Sequence, residues 1–285
     1  MTLSGRTLVI SGGSRGIGEA IAVRAARDGA NIALLAKTAE AHPALPGTIY
    51  TAADAIESAG GVALPLVGDI RDDEFVASAI GQVADAFGGI DIVVNNASAI
   101  DLSDVRDLPM KKYDLMNDIN TRGSFMLSKL AYPFLRESDH AHVLTLSPPI
   151  RLEPKWHEHH TAYTIAKFGM SLLTLGLSEE WRDDGIAANS LWPRTAIDTA
   201  AIRNIVGPRL AQNSRHPAIM ADAAHVVLSS SPADTTGNFF IDDDVLEHAG
   251  VNDFSVYLNG GEEHELALDA WVDPKGPHDA SLTLS

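Results

Sequence analysis

The chain of 285 residues contains no cysteine. This absence excludes disulfide bonds, cysteine-based metal sites and thiol nucleophiles, and it fits a reducing compartment. Long hydrophobic runs are absent too, so no segment has the length that crosses a membrane. A candidate strand begins within a few residues of Met1, which leaves no room for a signal peptide. The sequence therefore predicts a cytoplasmic protein without membrane insertion.

Basic residues are scarce, since 21 Lys and Arg stand against 38 Asp and Glu and the formal net charge is -17. This balance argues against nucleic-acid or anionic-membrane binding through a general basic surface. Much of the acid excess lies in the last third of the chain, where a solvated surface is the simplest interpretation. A small-molecule substrate is the expected partner.

Short apolar segments alternate with longer amphipathic segments up to about residue 245, which is the pattern of βαβ units. Apolar strands such as 92–94 indicate burial on both faces. We expect an α/β fold with a doubly wound, Rossmann-type, mostly parallel seven-stranded sheet and helices on both faces. Residues 1–250 are expected to form one nucleotide-binding and catalytic domain, and residues 251–285 an acidic C-terminal extension. The predicted strands are Thr7–Ser11, Asn31–Ala36, Ala63–Val67, Ile90–Asn95, His142–Ser147, Ala187–Trp192 and Asn238–Ile241.

Two long loops interrupt this pattern, at residues 38–47 and 193–217, and the second could cover a ligand crevice. A glycine-rich turn, residues 11–18, joins the first strand to the first helix. Backbone N–H groups at a helix N-terminus can bind a pyrophosphate there, although a tight connection alone would also need glycines. The second strand ends without the acidic residue that would bind a ribose 2′-OH. Arg15 and Lys37 therefore favour NADP(H), while NAD(H) stays possible and both could be ordinary surface cations.

Tyr163 and Lys167 lie four residues apart on one predicted helix. An ammonium one turn away stabilises a phenolate and would bring a phenol with a pKa near 10 into the working range. Such pairs also occur on solvated helix faces. Here they follow Asp69, the segment 95–97, Asn120 and Ser147 in a fixed order.

In this order the residues resemble the short-chain dehydrogenase/reductase family up to about Leu246, and several segments resemble its hydroxysteroid dehydrogenase-like protein 2 branch. Members of that branch can carry a sterol-carrier domain, for which this chain has no room. The resemblance implies that Tyr163 is the acid/base, that Lys167 stabilises its phenolate and that Asn120 helps to hold a water. It implies cofactor contacts by Gly12, Ser14, Arg15, Gly16, Ile17, Gly18, Lys37, Asp69, Asn95, Ala97, Lys167, Pro193, Ile197 and Thr199.

Two positions depart from the family pattern. The family serine, thirteen residues before the tyrosine, falls on Ile150, or on Pro148 when the strands are aligned. Ser147 could supply the hydroxyl or could simply end its strand. The glycine that follows the family proline is replaced by Arg194, which leaves the register of the contacts after Pro193 open.

The resemblance implies an NAD(P)-dependent oxidoreductase that interconverts an alcohol and a carbonyl on a small apolar substrate. Alternatives are a nucleotide-binding sensor with weak or no turnover, which the displaced serine favours, and an epimerase or dehydratase without net redox change. No metal site is expected at His157-Glu158-His159-His160, because adjacent loop residues rarely converge on one ion. A homodimer or homotetramer is expected to pair through helices at about Tyr113–Leu135 and Thr161–Trp181.

Overall fold

The computed structural model describes residues 2–41, 46–205 and 211–275. Seven parallel strands form one sheet in the order β3-β2-β1-β4-β5-β6-β7. This order reverses direction at β1 and β4, and ligands of open α/β sheets bind at such a crevice, outside the carboxyl ends of the strands. The strands are β1 (Thr7–Ser11), β2 (Asn31–Ala36), β3 (Val62–Val67), β4 (Ile92–Asn95), β5 (His142–Thr145), β6 (Ala187–Trp192) and β7 (Phe239–Ile241).

Nine α-helices connect or follow the strands within the described residues. Their bounds are α1 (Gly16–Ala26), α2 (Ile49–Ser58), α3 (Asp73–Phe87), α4 (Met110–Met116), α5 (Gly123–Leu135), α6 (Thr161–Glu180), α7 (Ala200–Ile205), α8 (Ala218–Leu228) and α9 (Asp242–His248). A π-helical stretch, Asn117–Arg122, joins α4 to α5, so the long helix predicted over 113–135 is continuous but irregular. No helix in this part of the chain is both long and apolar enough to cross a bilayer.

Alternate side chains of the strands enter two separate hydrophobic cores, one on each face of the sheet. Leu8 and Ile10 join the core beneath α1, α2 and α8, whereas Val9 joins the core beneath α3, α5 and α6. This division explains the continuous apolar strands, because a period of two places successive residues on opposite faces and both faces are covered. The predicted doubly wound fold is confirmed.

The structure corrects several predicted bounds, since β3 begins at Val62, β4 at Ile92 and β7 at Phe239. β5 ends at Thr145 rather than at Ser147, because the Ser147 N–H turns back to the Thr145 carbonyl oxygen, at 2.9 Å, just before Pro148 and Pro149. The second predicted loop contains α7 and is therefore not wholly irregular. In the first predicted loop, residues 42–45, which include Pro43, lie outside the described residues.

Residues 251–275 return along the carboxyl edge of the sheet instead of extending into solvent. The part from 266 to 275, called the returning segment below, bonds to the connection that follows β6. Its first contacts are a hydrogen bond from the Ala196 N–H to the Ala267 carbonyl oxygen, at 2.8 Å, and one from the Asp269 N–H to the Arg194 carbonyl oxygen, at 2.9 Å. The predicted acidic extension, residues 251–285, is described only as far as Lys275.

Candidate active site

The glycine-rich turn is packed against the loop that follows β4. Gly12 has φ 70° and Gly16 has φ 64°, a region that glycine adopts without strain. A Cβ atom on Gly12 would lie 2.8 Å from the Ala97 Cα, so a side chain does not fit there. The Asn96 amide fixes this contact, because its Nδ2 donates to the carbonyl oxygens of Ser11 and Gly12, both at 3.0 Å.

The first turn of α1 is open to the cavity beside the glycine-rich turn. Its N-cap residue, Arg15, has an extended backbone and provides no side-chain cap. The first N–H groups of a helix have no partner within the helix, and the helix dipole places positive charge there. The uncapped N-terminus, with Gly16 and Ile17 lining the cavity, therefore fits the pyrophosphate of a dinucleotide.

One cavity of about 320 Å³ extends from this turn to the middle of the carboxyl edge. The structure brings most of the predicted site residues together along its wall. The predicted residues that line it are Gly12, Arg15, Gly16, Ile17, Ala97, Tyr163, Lys167, Pro193, Ile197 and Thr199. Apolar side chains that include Ile100, Leu102, Trp192, Ile202 and Met220 form much of the remaining wall.

Tyr163 presents its phenol to this cavity from α6. Burial raises the pKa of the phenol above its ordinary value, the Asp269 carboxylate raises it further, and the nearby Ser98 side chain opposes the rise. The expected depression of this pKa by the neighbouring lysine is thus not what the described arrangement shows. The physical reason is that burial penalises the phenolate.

Lys167 is 3% exposed, and its ammonium group faces the same cavity. Its Nζ donates to the Leu146 carbonyl oxygen at 2.9 Å and lies 5.1 Å from the centroid of the Trp192 ring. Burial lowers the pKa of Lys167 to about 7, while the Asp269 carboxylate acts in the opposite direction. Because this pKa is close to neutral pH, a small change in the surroundings of Lys167 would alter its charge.

Asn120 lies in the π-helical stretch and is fully buried. Its Oδ1 accepts from the Ala99 N–H at 2.7 Å, and its Nδ2 donates to the Ala99 carbonyl oxygen at 3.0 Å. Both polar atoms of the Asn120 amide thus form hydrogen bonds with the backbone of Ala99, in the loop that lines the cavity. The side chain fixes this loop and does not itself line the cavity. π-Helical turns are frequent at functional sites.

Ser147 is directed away from the cavity and is fully buried. Its Oγ is 2.9 Å from the Ser190 Oγ, which in turn donates to the Thr174 Oγ1 at 3.0 Å. This chain of hydroxyls joins α6 to the ends of β5 and β6. Ile150, at the family serine position, packs into the apolar cluster around Tyr163. The hydroxyl that does line the cavity beside the phenol belongs to Ser98, which the sequence reasoning missed.

Three predicted cofactor residues support the turn from behind rather than lining the cavity. Ser14 and Gly18 are buried in the turn, and a Cβ on Gly18 would lie 2.5 Å from the Asn96 Nδ2. Asn95 is fully buried in β4, where its Nδ2 donates to the Ser128 Oγ at 3.0 Å. These residues shape the floor of the site indirectly.

Lys37 and Asp69 lie at the carboxyl ends of the paired strands β2 and β3, beyond the cavity. Lys37 is exposed. Arg71 binds the Asp69 carboxylate through Nε at 3.0 Å and Nη2 at 2.7 Å, and this pairing lowers the pKa of Asp69, to which Lys37 adds a smaller contribution. Arg15 donates to the Gly47 carbonyl oxygen at 2.6 Å. Three cations therefore border this end of the site.

The histidines before α6 have separate partners. His157 contacts the Arg151 carbonyl oxygen at 2.8 Å, and His160 contacts that of Leu102 at 2.5 Å. His160 begins the helix in a left-handed conformation, φ 56°, and lines the cavity. No group of three metal-ligating side chains comes together within residues 2–41, 46–205 and 211–275.

The returning segment contributes Asp269, Ala270 and Trp271 to the cavity wall. The Trp271 ring lies 5.7 Å from that of Tyr163 and 5.7 Å from that of Trp192, as measured between centroids. No pattern in the sequence predicts this contact, because the segment has no helical or strand periodicity. Trp271 has φ 62°, which is uncommon for a residue other than glycine and marks a backbone fixed by its surroundings.

Arg194, which replaces the family glycine after Pro193, joins elements outside the cavity. Its guanidinium turns away from the cavity, donates to Asp243 through Nε at 2.7 and 2.8 Å, and donates to the Asp273 carbonyl oxygen through Nη1 at 2.9 Å. The arginine therefore joins the connection after β6 to α9 and to the returning segment. Pro193, Ile197 and Thr199 remain on the cavity wall.

Known proteins are similar to this chain in sequence and fold. A family model described as short chain dehydrogenase matches residues 6–207. The Hydroxysteroid dehydrogenase-like protein 2 of Xenopus tropicalis is 56% identical over 272 residues, which are 95% of this chain and 64% of that protein. Its counterpart in Homo sapiens is 51% identical over 272 residues, which are again 95% of this chain and 64% of that protein.

The crystal structure of a short chain dehydrogenase from Mycobacterium thermoresistibile is 54% identical, covers 99% of each chain and has a TM-score of 0.90. The chain spans 64% of the length of the two curated relatives named above. The resemblance found in the sequence motifs is confirmed by these matches. The chain belongs to the short-chain dehydrogenase family.

Proposed function

We propose that this chain is an NADP(H)-preferring oxidoreductase that interconverts an alcohol and a carbonyl on a small apolar substrate. The observation that carries the proposal is that one cavity joins the uncapped N-terminus of α1 to Tyr163 and Lys167. A dinucleotide whose pyrophosphate binds at α1 would extend along this cavity toward the phenol. The family uses nicotinamide nucleotides, which exchange a hydride with the substrate carbon when bound.

The residues of the chain position the substrate and move the proton. Tyr163 donates a proton to the carbonyl oxygen in reduction and accepts it in oxidation. Ser98 is the hydroxyl beside the phenol and takes the part that the sequence left open for Ser147, namely a hydrogen bond to the reacting oxygen. Lys167 supplies the positive charge near both groups, and Asn120 holds the loop on which Ser98 lies through its contacts with Ala99.

Two features support the choice of NADP(H). Lys37 follows β2, at a position where an acidic residue would repel a 2′-phosphate. Arg71, which contacts Asp69, is a second cation nearby. Arg15 lines the cavity beside the turn. Ser14, Gly18, Asn95 and Asp69 are proposed to support the nucleotide site from positions outside the cavity.

The substrate proposal follows from the wall of the cavity around Tyr163. Indole rings of Trp192 and Trp271 face it together with aliphatic side chains. Binding of an apolar substrate against such a wall removes apolar surface from water, which stabilises the complex by about 25 cal/mol for each Å². We therefore propose apolar aldehydes, ketones and their alcohols as substrates.

We further propose that residues 1–250 form the nucleotide-binding and catalytic unit and that the extension from residue 251 completes its cavity. A second copy of the chain is proposed to cover α5 and α6. Phe125 on α5 and Ile165, Leu172 and Leu175 on α6 are 43–58% exposed, although they are apolar. Apolar side chains at these helical spacings form a continuous surface of the kind that association buries.

The proposal is tested by deuteride transfer. Wild-type chain is mixed with NADPH deuterated at the transferable C4 position and a pool of apolar aldehydes and ketones, and the alcohols are analysed by mass spectrometry. We expect deuterium in at least one alcohol. Tyr163→Phe should reduce the rate by roughly 10²- to 10⁴-fold, the usual contribution of a positioned acid. Tyr50→Phe, at an exposed tyrosine, serves as the matched control.

The outcome also separates the alternatives. Nucleotide binding without deuterium in any alcohol would favour a sensor, which is the alternative that the inward position of Ser147 supports. Retention of tightly bound nucleotide with rearranged substrate and no net oxidation would favour an epimerase or dehydratase.

A further inference from the structure

The returning segment is fixed to the site at several points. Backbone hydrogen bonds join Ala267 to Ala196 and to Asn213, both at 2.8 Å, and join Asp269 to Arg194 at 2.9 Å. The Trp192 Nε1 donates to the Ala270 carbonyl oxygen at 3.0 Å. The segment is therefore built into the cavity wall and is not a loosely attached cover.

Ionic contacts fasten the outer part of the same segment. Arg151 lies 3.2 Å from the Asp273 carboxylate, and Lys275 binds Asp244 at 2.6 Å and Glu247 at 2.7 Å. These contacts follow the residues that enter the cavity, and the backbone hydrogen bonds of Ala267 precede them. They hold Asp269 at a defined depth in the site.

Asp269 places a carboxyl group in the same cavity wall as Tyr163 and Lys167. Its Oδ1 accepts from the Ala270 N–H at 2.7 Å. The ionisable groups that act on it are Lys167 from α6, which favours its charged form, and the buried Asp242 from the start of α9, which opposes that form. Lys167 is the cation among these partners, so the two groups are opposite charges in a buried apolar site.

We propose that Asp269 is a positioning residue of the active site that serves as the counter-ion of Lys167 and keeps a proton on its amine. This inference rests on the proposed function, because the lysine charge matters for the reaction only if Tyr163 is the acid/base. The returning segment is then a functional part of the site. A carboxylate also makes this end of the cavity unfavourable for an anionic substrate group.

The physical argument concerns which form of Lys167 exists near neutral pH. Burial lowers the pKa of Lys167 to about 7, and the Asp269 carboxylate is the group that opposes this lowering. Burial likewise raises the pKa of Asp269 to about 7. The two groups therefore change charge in the same pH range and titrate as a pair. Removing the carboxylate leaves only the burial effect, so Lys167 would lose its proton at lower pH.

The test measures the charge of Lys167 directly in the ligand-free chain. Lysine labelled with ¹³C at Cε is incorporated, and the Lys167 resonance is assigned by its loss in Lys167→Met. Its titration midpoint is then compared between wild type and Asp269→Asn. We expect the midpoint to fall by about one pH unit, because a carboxylate in the same buried cavity wall no longer favours the charged amine.

Three control variants separate charge from packing. Asp269→Glu keeps a carboxylate and should leave the midpoint near its wild-type value. Trp271→Phe loosens the packing of the same segment without changing its charge and should not shift the midpoint. Asp253→Asn removes an exposed carboxylate of the extension and should have no effect. An unchanged midpoint in Asp269→Asn would overturn the proposal.

A second measurement remains if Asp269→Asn does not fold. Asp242→Asn chain labelled at aspartate Cγ should show one carboxyl resonance that titrates in the same step as Lys167, because burial raises the pKa of Asp242 to about 7 as well and this variant removes its signal. A carboxyl step at the ordinary value of about 4 for every aspartate, with none at the lysine midpoint, would refute the pairing. Because neither measurement needs turnover, a failure of deuteride transfer with the expected titrations would refute the oxidoreductase proposal and leave the pairing intact.

Discussion

At the scale of single residues, the two serines near the site are expected to differ in their effects. Ser98 lines the cavity and acts on the Tyr163 phenol, whereas Ser147 bonds to Ser190 in the interior. We predict that Ser98→Ala lowers kcat by about 5-fold, the equivalent of one hydrogen bond of ~1 kcal/mol. Steady-state kinetics on the substrate found by deuteride transfer would measure this.

Ser147→Ala is the matched control. It should leave kcat almost unchanged and lower the free energy of unfolding by about 1 kcal/mol, because it leaves the Ser190 hydroxyl with one partner fewer. If Ser147→Ala reduced kcat as strongly as Ser98→Ala without loss of stability, the assignment of the reacting hydroxyl would be wrong.

Lys37 is the residue on which the choice of nucleotide is expected to depend. Its ammonium is exposed beyond β2, where it can bind a 2′-phosphate that NADP(H) has and NAD(H) lacks. Lys37→Ala should weaken NADPH binding by about 1.5–3 kcal/mol, roughly 10- to 100-fold in Kd, and leave NADH binding unchanged. Competition titrations measure both constants. Equal weakening of the two nucleotides, or the same effect in Lys111→Ala, would contradict a specific phosphate contact.

The residues of the site were predictable from the sequence where local geometry decides them. Tyr163 and Lys167 lie one turn apart on a single helix, and the glycine turn joins a strand to a helix, so short spacings suffice. The position of Ser147 was not predictable, because the turn of its N–H onto Thr145 rotates the end of β5 away from the cavity. Ser98 was missed because it lies 65 residues before Tyr163 in the sequence, and only the fold brings both residues to one cavity.

At the scale of elements, strand patterns predicted the sheet almost completely, since burial on both faces requires continuous apolar runs. Errors were confined to ends and to irregular backbone: β5 is shorter, and α7 lies within a predicted loop. The returning segment could not be predicted. Its contacts with β6 and α6 are made by isolated side chains and backbone groups, which leave no periodic pattern in the sequence.

The start of α9 is expected to make the stability of the fold depend on pH. Asp242 is fully buried, and its Oδ1 accepts from the N–H groups of Arg194 at 2.9 Å and Asp243 at 2.8 Å. Burial, together with the neighbouring Asp243, raises the pKa of Asp242 to about 7. The folded chain thus binds a proton more strongly than the unfolded chain, so this group's contribution to the unfolding free energy falls as pH rises from about 4 to about 7.

Asp242→Asn keeps both accepted hydrogen bonds and removes the titration. Urea unfolding at pH 5 and pH 8 should show a loss of stability across this interval that is about 2 kcal/mol smaller in the variant than in wild type. Asp85→Asn, which changes an exposed carboxyl on α3, should behave as wild type does. The same pH dependence in wild type and Asp242→Asn would show that Asp242 titrates at an ordinary value.

At the scale of the whole molecule, the exposed apolar face of α5 and α6 predicts self-association. Leu172 is 58% exposed near the middle of α6, well away from the cavity wall. Leu172→Asp would place charges at the centre of the proposed interface and should convert a dimer or tetramer to smaller species in analytical ultracentrifugation. Leu152→Asp, at a residue 80% exposed outside both helices, is the control. A wild-type monomer at all accessible concentrations would contradict the proposed interface.

The central claim is that the glycine turn, the N-terminus of α1 and the Tyr163–Lys167 pair belong to one nicotinamide nucleotide site. Fluorescence titration of the purified chain with NADPH and with NADH tests it most directly. The account predicts saturable binding of one nucleotide per chain, tighter for NADPH, with energy transfer from Trp192 and Trp271, whose rings line the cavity. Absence of binding by either nucleotide would show that the turn is only a connection between β1 and α1, and the oxidoreductase proposal would fall.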